Sequence, residues 1–415
     1  MRVTVLGAGV TGVATACFLA RRGWEVTVMD RAPQVAAGTS HANGAQLSYS
    51  FTDALARPAF LRRLPAIVLG RERGMRLAAT PGAAFPRWSA AFLRQCTPGK
   101  ARDNTLSVLG LALRSAVLMD ELLRSVPLDI SFVRAGKMAL LRGRSDVAAA
   151  RRAVALKTGL GCDTEVLSMA EARRIEPALG GLRGEFAGVV WSANDHVADA
   201  RAFTEQLAAS LARAGNVRFR LNEEVASLSV AGRRLRAVVT DRGEYPADPA
   251  VVCLGTGSTA LLRPLGIDAQ ILPVRGYSVT LPPGTAPPAV SISDLRHKIV
   301  FSNLGDRMRI AGFADLVGFN TRRDARRTAD LVAAARGVLP DAARFETPQR
   351  QEWGGFRPMT PDGRPRVGPS GIAGLYLNTG HGMLGWTRAL ATAEKVARAV
   401  SAQAGTRRVT GAAVA

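Results

Sequence analysis

A β-branched run that ends in a glycine turn opens this chain and limits what it can fold into. Residues 2–7 read Arg-Val-Thr-Val-Leu-Gly, the pattern of a short buried strand. Gly7-Ala8-Gly9-Val10-Thr11-Gly12 follows, and residues 13–22 then read as a helix with Ala16, Leu19 and Ala20 among its apolar positions and Gly23 at its end. Residues 25–30, Glu-Val-Thr-Val-Met-Asp, read as a second strand carrying an acid at its C-terminal end. Each part has a mechanical role. Gly7 permits a tight turn, Gly9 lets a pyrophosphate approach the backbone, and Gly12 lets the helix pack against the strand. The helix N-terminus at Ala8, Val10 and Thr11 offers N–H groups and a partial positive charge to phosphate. Asp30 stands 18 residues beyond Gly12, where an acid accepts hydrogen bonds from ribose hydroxyls. Arg31 beside it does not force a 2′-phosphate, because the acid still occupies the ribose position. A lone G-x-G-x-x-G is a weak signal; the preceding strand, the following helix and the spaced acid make this one specific. The unit predicts a dinucleotide site without separating NAD from FAD.

The bulk properties bound the rest. A chain of 415 residues suggests two or more domains, and 47% hydrophobic content supplies a real core. No run reaches ~18 apolar residues, so no transmembrane helix is expected. The apolar N-terminus resembles an export signal, but its glycines break it, and a cytoplasmic protein is expected. Cys17, Cys96, Cys162 and Cys253 are scattered without metal-like spacing and read as buried thiols. His41, His196, His297 and His381 form no H-E-x-x-H pair, so no metal site is expected. The formal charge is +22, and only five of the 55 basic residues are lysine. Basic clusters fall at 71–76, 233–236 and 322–327. No basic stripe interleaved with aromatics appears, which argues against nucleic acid. A solvated arginine-rich surface is the first reading, and peripheral contact with an anionic inner membrane is the second.

Three further segments favour FAD. The loop Thr39-Ser40-His41-Ala42-Asn43-Gly44-Ala45-Gln46-Leu47-Ser48 is small and polar and follows the second strand closely, which suits pyrophosphate and flavin-edge contacts; Ser40, Asn43, Gly44, Ala45, Gln46 and Leu47 are the candidates. Residues 250–258 are a hydrophobic strand running into a Gly/Thr/Ser turn at Gly255, as expected for a late strand under a dinucleotide. They follow two segments, 217–230 and 235–240, that read as strands, with Val225 where such folds hold adenine by backbone contacts. The last segment, residues 354–387, ends in a strand (375–378) and then Thr379-Gly380-His381-Gly382-Met383-Leu384-Gly385-Trp386-Thr387, ahead of a helix over 388–400. Gly380, Gly382, Met383, Leu384 and Gly385 thus form a glycine-dense loop opening a helix, a second anion-stabilising terminus. A flavin needs one, because negative charge develops at its N1–C2=O edge on reduction.

Pro273-Val274-Arg275-Gly276-Tyr277-Ser278, the 354–363 segment Gly-Gly-Phe-Arg-Pro-Met-Thr-Pro-Asp-Gly and the 378–387 segment Asn-Thr-Gly-His-Gly-Met-Leu-Gly-Trp-Thr resemble the family of D-amino-acid dehydrogenases of the small-subunit type. Residues 317–321 and 176–179 match it too, and the likeness runs in order from residue 1 to about 400. More distantly the chain is similar to glycine and sarcosine oxidases. It departs from the family in reading Asn43-Gly44-Ala45-Gln46 for Asn-Ala-Gly-Gln, Tyr49-Ser50 for Pro-Gly, Met383 for a common threonine, and Ala391-Thr392-Ala393 for a glycine- and serine-rich stretch. Around His196 the family tends to have acidic residues, and this chain has the histidine there. These departures bear on substrate range.

The resemblance implies an α/β protein of D-amino-acid oxidase type. A Rossmann-like, glutathione-reductase-type FAD-binding domain would take residues 1–50, 198–264 and 351–415. A mixed-sheet α+β substrate domain would take 51–197 and 265–350, with strands at 132–141 and 189–192 and a helix at 106–125. It implies oxidation of a D-amino acid at Cα, with electrons passing to a quinone or another respiratory-chain acceptor. By the same resemblance Arg357 binds the substrate carboxylate, a task that suits its planar fork. Tyr277 and Tyr49 are candidates for shaping the pocket, Lys298 for its wall, and His381 serves the flavin loop. Two other readings stand beside this one: an oxidase or dehydrogenase of glycine, sarcosine or D-hydroxyproline, and a non-catalytic FAD-binding subunit.

Overall fold

In the computed structural model, which describes residues 1–78, 82–246 and 249–412 and side chains through residue 403, the opening β-branched run lies at the centre of a six-stranded sheet. Its order is Arg366–Pro369, Leu375–Thr379, Ala250–Val252, Arg2–Leu6, Glu25–Met29 and Val217–Arg220. Every neighbouring pair is parallel except the first, where Arg366–Pro369 runs antiparallel to Leu375–Thr379. Alternation explains why these strands are apolar on both faces. Val3, Val5, Val26, Val28, Val251 and Tyr376 pack against the helices Val10–Ala20, Ala200–Arg213, Pro98–Ser125 and Gly385–Ala412. Leu6, Met29, Val252 and Leu377 face the other way, onto Leu228, Leu235 and Val238 of a three-stranded meander, Val225–Ala231, Arg234–Thr240 and Gly243–Pro246.

A second, eight-stranded sheet runs in the order Gln351–Met359, Leu272–Leu281, Met308–Asp315, Ile299–Asn303, Ser291–Asp294, Lys137–Leu141, Gly188–Ser192 and Thr164–Leu167. It is antiparallel but for the pair Ser291–Asp294 with Lys137–Leu141. One face packs on the helix Ala325–Val338 through Val279, Ile310, Phe301 and Leu331. A two-stranded ribbon, Gln46–Leu47 with His196–Val197, lies apart from both sheets in pairing.

Several boundaries differ from the sequence reading. Gln351–Met359 pairs with Leu272–Leu281, so this strand is part of the eight-stranded sheet rather than of the unit expected to begin at 351. The helix expected at 106–125 begins at Pro98, capped by the Thr97 side chain. Its Ala112, Leu118, Met119 and Leu122 share the core of the six-stranded unit, and Arg114 makes a two-point ion pair with Glu394 on the C-terminal helix. The strand expected over 132–141 is confined to Lys137–Leu141, because Gly136 sits at φ +72 with the Trp191 ring filling the place of a side chain. The run 217–230 splits in two at Asn222, which adopts φ +54. The helix expected from 388 starts at Gly385.

Candidate active site

The three N-terminal glycines answer to different neighbours. Gly7 has φ +109, and a Cβ there would lie 2.7 Å from the Cys253 carbonyl oxygen. At Gly12 a Cβ would run into the Gly7 carbonyl, so the helix could not seat on its strand. Gly9 is not constrained in this way: a Cβ would meet only the Ser40 hydroxyl, at 3.4 Å. The protein therefore has no internal reason to keep Gly9 bare, which fits a cradle kept open for a phosphate. The Asp30 carboxylate accepts from the N–H groups of Ala8 (2.7 Å) and Ala32 (2.9 Å), and Val10 N–H donates to Ser40 Oγ (3.0 Å). No acid stands in the first turn of the helix at Val10, Thr11 and Gly12. Arg31 pairs with Glu224 at 3.3 Å on the surface, and Glu223 N–H, two residues before Val225, donates to the Asp30 carbonyl. On the far side, Thr379 Oγ1 donates to the carbonyl of Gly255, itself at φ +55. The bare Gly9 and the acid at the strand end suit the ADP half of FAD, while two of the expected N–H donors, Ala8 and Val10, are taken up by Asp30 and Ser40.

The loop over 39–48 is tied down by its carbonyls. Ser278 Oγ donates to Ala42 O (2.6 Å), Arg309 to Asn43 O (3.0 Å) and Ser302 Oγ to Gly44 O (2.8 Å). All three donors come from the eight-stranded sheet. The Asn43 side chain accepts from Ala45 N–H, and Ala45 is held at φ +56. Gln46 and Leu47 then enter the ribbon, and Ser48 N–H donates to Thr387 Oγ1 (3.0 Å) in the first turn of the C-terminal helix. This helix is preceded by the glycine-dense loop. Gly380 adopts φ +76 and Gly382 φ +58, and a Cβ on Gly380 would press on Thr360 at 2.8 Å. Met383 is 52% exposed, and Gly385 starts the helix. The buried Arg388 donates to the carbonyls of His381, Leu384 and Gly363 and so holds the loop from behind. His381 is buried with Nε2 2.9 Å from Thr392 Oγ1. Burial, and then the Arg388 charge, push it down to about 3, so it is neutral at ordinary pH. Arg388 went unread in the sequence, where it is one arginine among 50.

Arg357 lies in the strand Gln351–Met359, opposite Val274, with Gly355 opposite Gly276 and Trp353 opposite Ser278. Its guanidinium lies over Gly276, where a Cβ would come within 2.5 Å of it, and Nη1 donates to Phe313 O at 2.6 Å. Arg357 thus shares a sheet face with Ser278, the residue that holds Ala42. His41 stacks on Trp353 (centroids 6.1 Å apart) and Thr39 Oγ1 donates to Phe356 O, so the loop and the arginine are brought together. Burial pushes Arg357 down to about 10, and it stays cationic near neutrality.

The other three candidates lie elsewhere. Tyr277 follows Gly276 and so points to the opposite face, where its hydroxyl donates to the fully buried Asp315 at 3.1 Å. Burial and the Asp315 charge push it up to about 12. Asp315 also takes two bonds from Arg327, each 2.9 Å. Tyr49 is 1% exposed, edge-on to His196 with ring centroids 5.6 Å apart, and burial raises its pKa. Lys298, at φ +54, pairs with Glu72 at 3.0 Å. Tyr277 thus lies on the sheet face opposite Arg357, and the Lys298 ammonium is taken up by its ion pair.

A family model described as FAD dependent oxidoreductase matches residues 2–399. The chain is 39% identical over 413 residues to D-amino acid dehydrogenase 2 of Ralstonia nicotianae, covering 97% of both chains. It is 38% identical to a D-amino acid dehydrogenase of Paramagnetospirillum magneticum, over 97% of this chain and 95% of that one. Among solved structures, glycine oxidase from Geobacillus kaustophilus superposes with a TM-score of 0.75 at 21% identity, over 96% of this chain and 95% of that one. L-proline dehydrogenase from P. horikoshii gives 0.74 at 17% identity, over 96% and 92%. These two share the fold.

Proposed function

Because this chain belongs to the FAD dependent oxidoreductase family, we propose that it is a D-amino-acid dehydrogenase whose substrate carboxylate is bound by Arg357. The observation that carries this reading is the common sheet face of Arg357 and the anchored loop over 39–48. FAD, when bound, supplies the acceptor for the hydride that leaves Cα. The residues named above as cradle, loop and C-terminal helix start would hold it. Arg357 has five N–H donors and spends one on Phe313 O, which orients the fork and leaves enough for a two-point clamp on a carboxylate. The clamp fixes the direction of the Cα–H bond, the main task left to the protein. The substrate reacts as the neutral amine, its ammonium proton having passed to solvent, and His381, pushed down to about 3, is too weak a base to take that proton. Water then adds to the released imino acid, giving a 2-oxo acid and ammonia.

We further read the acceptor as a quinone or another respiratory-chain carrier, met at the inner face of a membrane. No helix among the described residues is long and apolar enough to cross one. Support for peripheral contact comes from the helix Pro58–Val68 and the turn after it. Leu61, Val68 and Leu69 are exposed there beside the exposed Arg57, Arg62, Arg63, Arg71 and Arg73. Apolar side chains set among arginines suit an anionic lipid surface. We also assign FAD to the six-stranded unit and substrate selection to the eight-stranded sheet. The test is an anaerobic screen of flavin bleaching with D- and L-amino acids, glycine and sarcosine. Bleaching by D-enantiomers supports the reading. Bleaching by glycine or sarcosine alone moves the substrate class, and no bleaching by any leaves an FAD-binding subunit.

A further inference from the structure

Lys137 is a buried ammonium that the reaction outlined above does not use. It opens the strand Lys137–Leu141, is 6% exposed, and reaches Gln46 Oε1 at 3.1 Å and Ser48 Oγ at 2.7 Å. Its charge also lies 4.5 Å from the centroid of the Phe51 ring. Gln46 is thereby held at both ends, since its Nε2 donates to Ser291 Oγ (2.5 Å) and Ser293 Oγ (3.3 Å). Ser48 in turn donates its N–H to Thr387, in the first turn of the C-terminal helix. Lys137 therefore sits one side chain away from the point where the 39–48 loop and the C-terminal glycine loop meet.

A second buried lysine makes the comparison clear. Lys157 also approaches Phe51, at 5.5 Å, but it takes the Asp53 carboxylate at 2.8 Å and the Ser50 carbonyl at 3.0 Å. Lys137 is held by neutral oxygens and a ring instead. The remaining carboxylate in the cluster, Asp195, is fully buried and accepts from Ser50 N–H. A buried charge without a close counter-ion is costly, and an apolar residue of similar size packs better in a purely structural role.

We propose that Lys137 is a positioning residue that fixes the Gln46 side chain and sets a positive charge beneath the flavin, stabilising the negative charge that reduction places there. The proposal rests on the reading of residues 39–48 as a flavin-contacting loop. It acts through the same field effect as a helix N-terminus, from the opposite side of the loop. Desolvation pushes the Lys137 ammonium down to about 8; Asp195 and Asp53 oppose that shift and Lys157 adds to it. Desolvation also pushes Asp195 up to about 6, so its carboxylate is charged from pH 7 upward and offsets part of the lysine's field at a constant level across that range. The charge is thus present below pH 8 and lost above it.

The test is the midpoint potential of the FAD-loaded full chain from pH 6 to pH 10, for wild type, K137R, K137Q and K137M. At pH 7 K137Q and K137M shift to more negative potential, and K137R stays at the wild-type value. The wild-type curve bends toward that of K137M between about pH 7 and pH 9, while K137R shows no such bend. Four superimposable or parallel curves overturn the proposal. So does loss of FAD from K137R and K137Q together, which would make Lys137 a packing residue. Q46L is the control on the loop reading. If its flavin absorption spectrum is unchanged, Gln46 does not adjoin the flavin and that reading fails. If the Q46L spectrum moves but the Lys137 curves do not, the Lys137 proposal alone fails.

Discussion

Arg357 combines a fixed orientation with unspent hydrogen-bonding capacity, and both can be tested. Replacing it with alanine should leave flavin binding intact, because the donors assigned to FAD lie on other segments. It should remove a charge-assisted pair worth about 2–5 kcal/mol when desolvated. That corresponds to roughly 30- to several-thousand-fold in kcat/KM, at about 1.4 kcal/mol per tenfold. Arg357→Lys should restore only part of it, since one ammonium cannot reproduce a two-point fork. Steady-state kinetics on flavin-loaded variants with the best D-amino acid decide the matter; near-normal kcat/KM in Arg357→Ala would refute the assignment. The glycines give a second residue-scale expectation. Gly9→Val should fold but emerge without flavin, because its Cβ meets only Ser40. Gly12→Ala should instead cost about 1–3 kcal/mol of stability, as overpacking does, because its Cβ strikes the Gly7 backbone. Absorbance at the flavin band and thermal melts separate the two effects. What could be read in the sequence at this scale follows from geometry. Arg357 stands out because Gly354, Gly355 and Pro358 mark an unusual backbone around it. The direction of Tyr277 depends on strand parity relative to Gly276, and register is a tertiary property that a motif does not carry.

The N-terminal strand, helix and strand were legible as elements because period and punctuation agree there; the helix merely begins earlier, at Val10. Gln351–Met359 was harder, since its place in the eight-stranded sheet is set by a partner some 80 residues away in sequence. The C-terminal loop is intermediate. Its glycines announce a turn opening a helix, but the buried Arg388 that ties its carbonyls is one arginine among many. The same loop carries a pH signature. His381 is held near 3 by burial and by Arg388, against about 6.5 in an unfolded chain. A depressed folded pKa means that the unfolded chain takes up the proton first as pH falls. The neutral histidine therefore carries no penalty above about pH 6.5, and stability is lost as pH drops from there toward 3. At pH 5 the loss is about 2 kcal/mol, from 1.5 units at 1.36 kcal/mol each. His381→Gln keeps a polar partner for Thr392 without titrating. Its stability relative to wild type should therefore rise between pH 7 and pH 5 in denaturant melts, and a constant difference would show that His381 does not drive the acid limb.

At the scale of the whole molecule the formal charge of +22 and the exposed patch at residues 57–73 bear on where this chain meets its acceptor. A net charge acts over the Debye length, about 10 Å at 0.1 M salt, and fades as salt rises. Apolar contact does not fade in this way, so a surface that uses both should bind anionic membranes in two separable parts. The purified, flavin-loaded chain should sediment with vesicles containing anionic lipid at low salt and be released progressively toward 0.5 M. Zwitterionic vesicles should retain little at any salt. Replacing Arg62, Arg63, Arg71 and Arg73 with glutamine should weaken binding by about 1 kcal/mol for each arginine that lies at the surface. Replacing Val68 and Leu69 with serine should lower binding while leaving its salt dependence unchanged, because no charge is removed. Both variants should keep the wild-type rate with a soluble dye, since the patch carries none of the residues assigned to flavin or substrate. A matching loss with the dye would mean that the substitutions disturb the fold. Equal binding by both variants and wild type would move the contact off this patch, and no binding by wild type would leave the arginine excess as a solvated surface and remove the membrane from the reading.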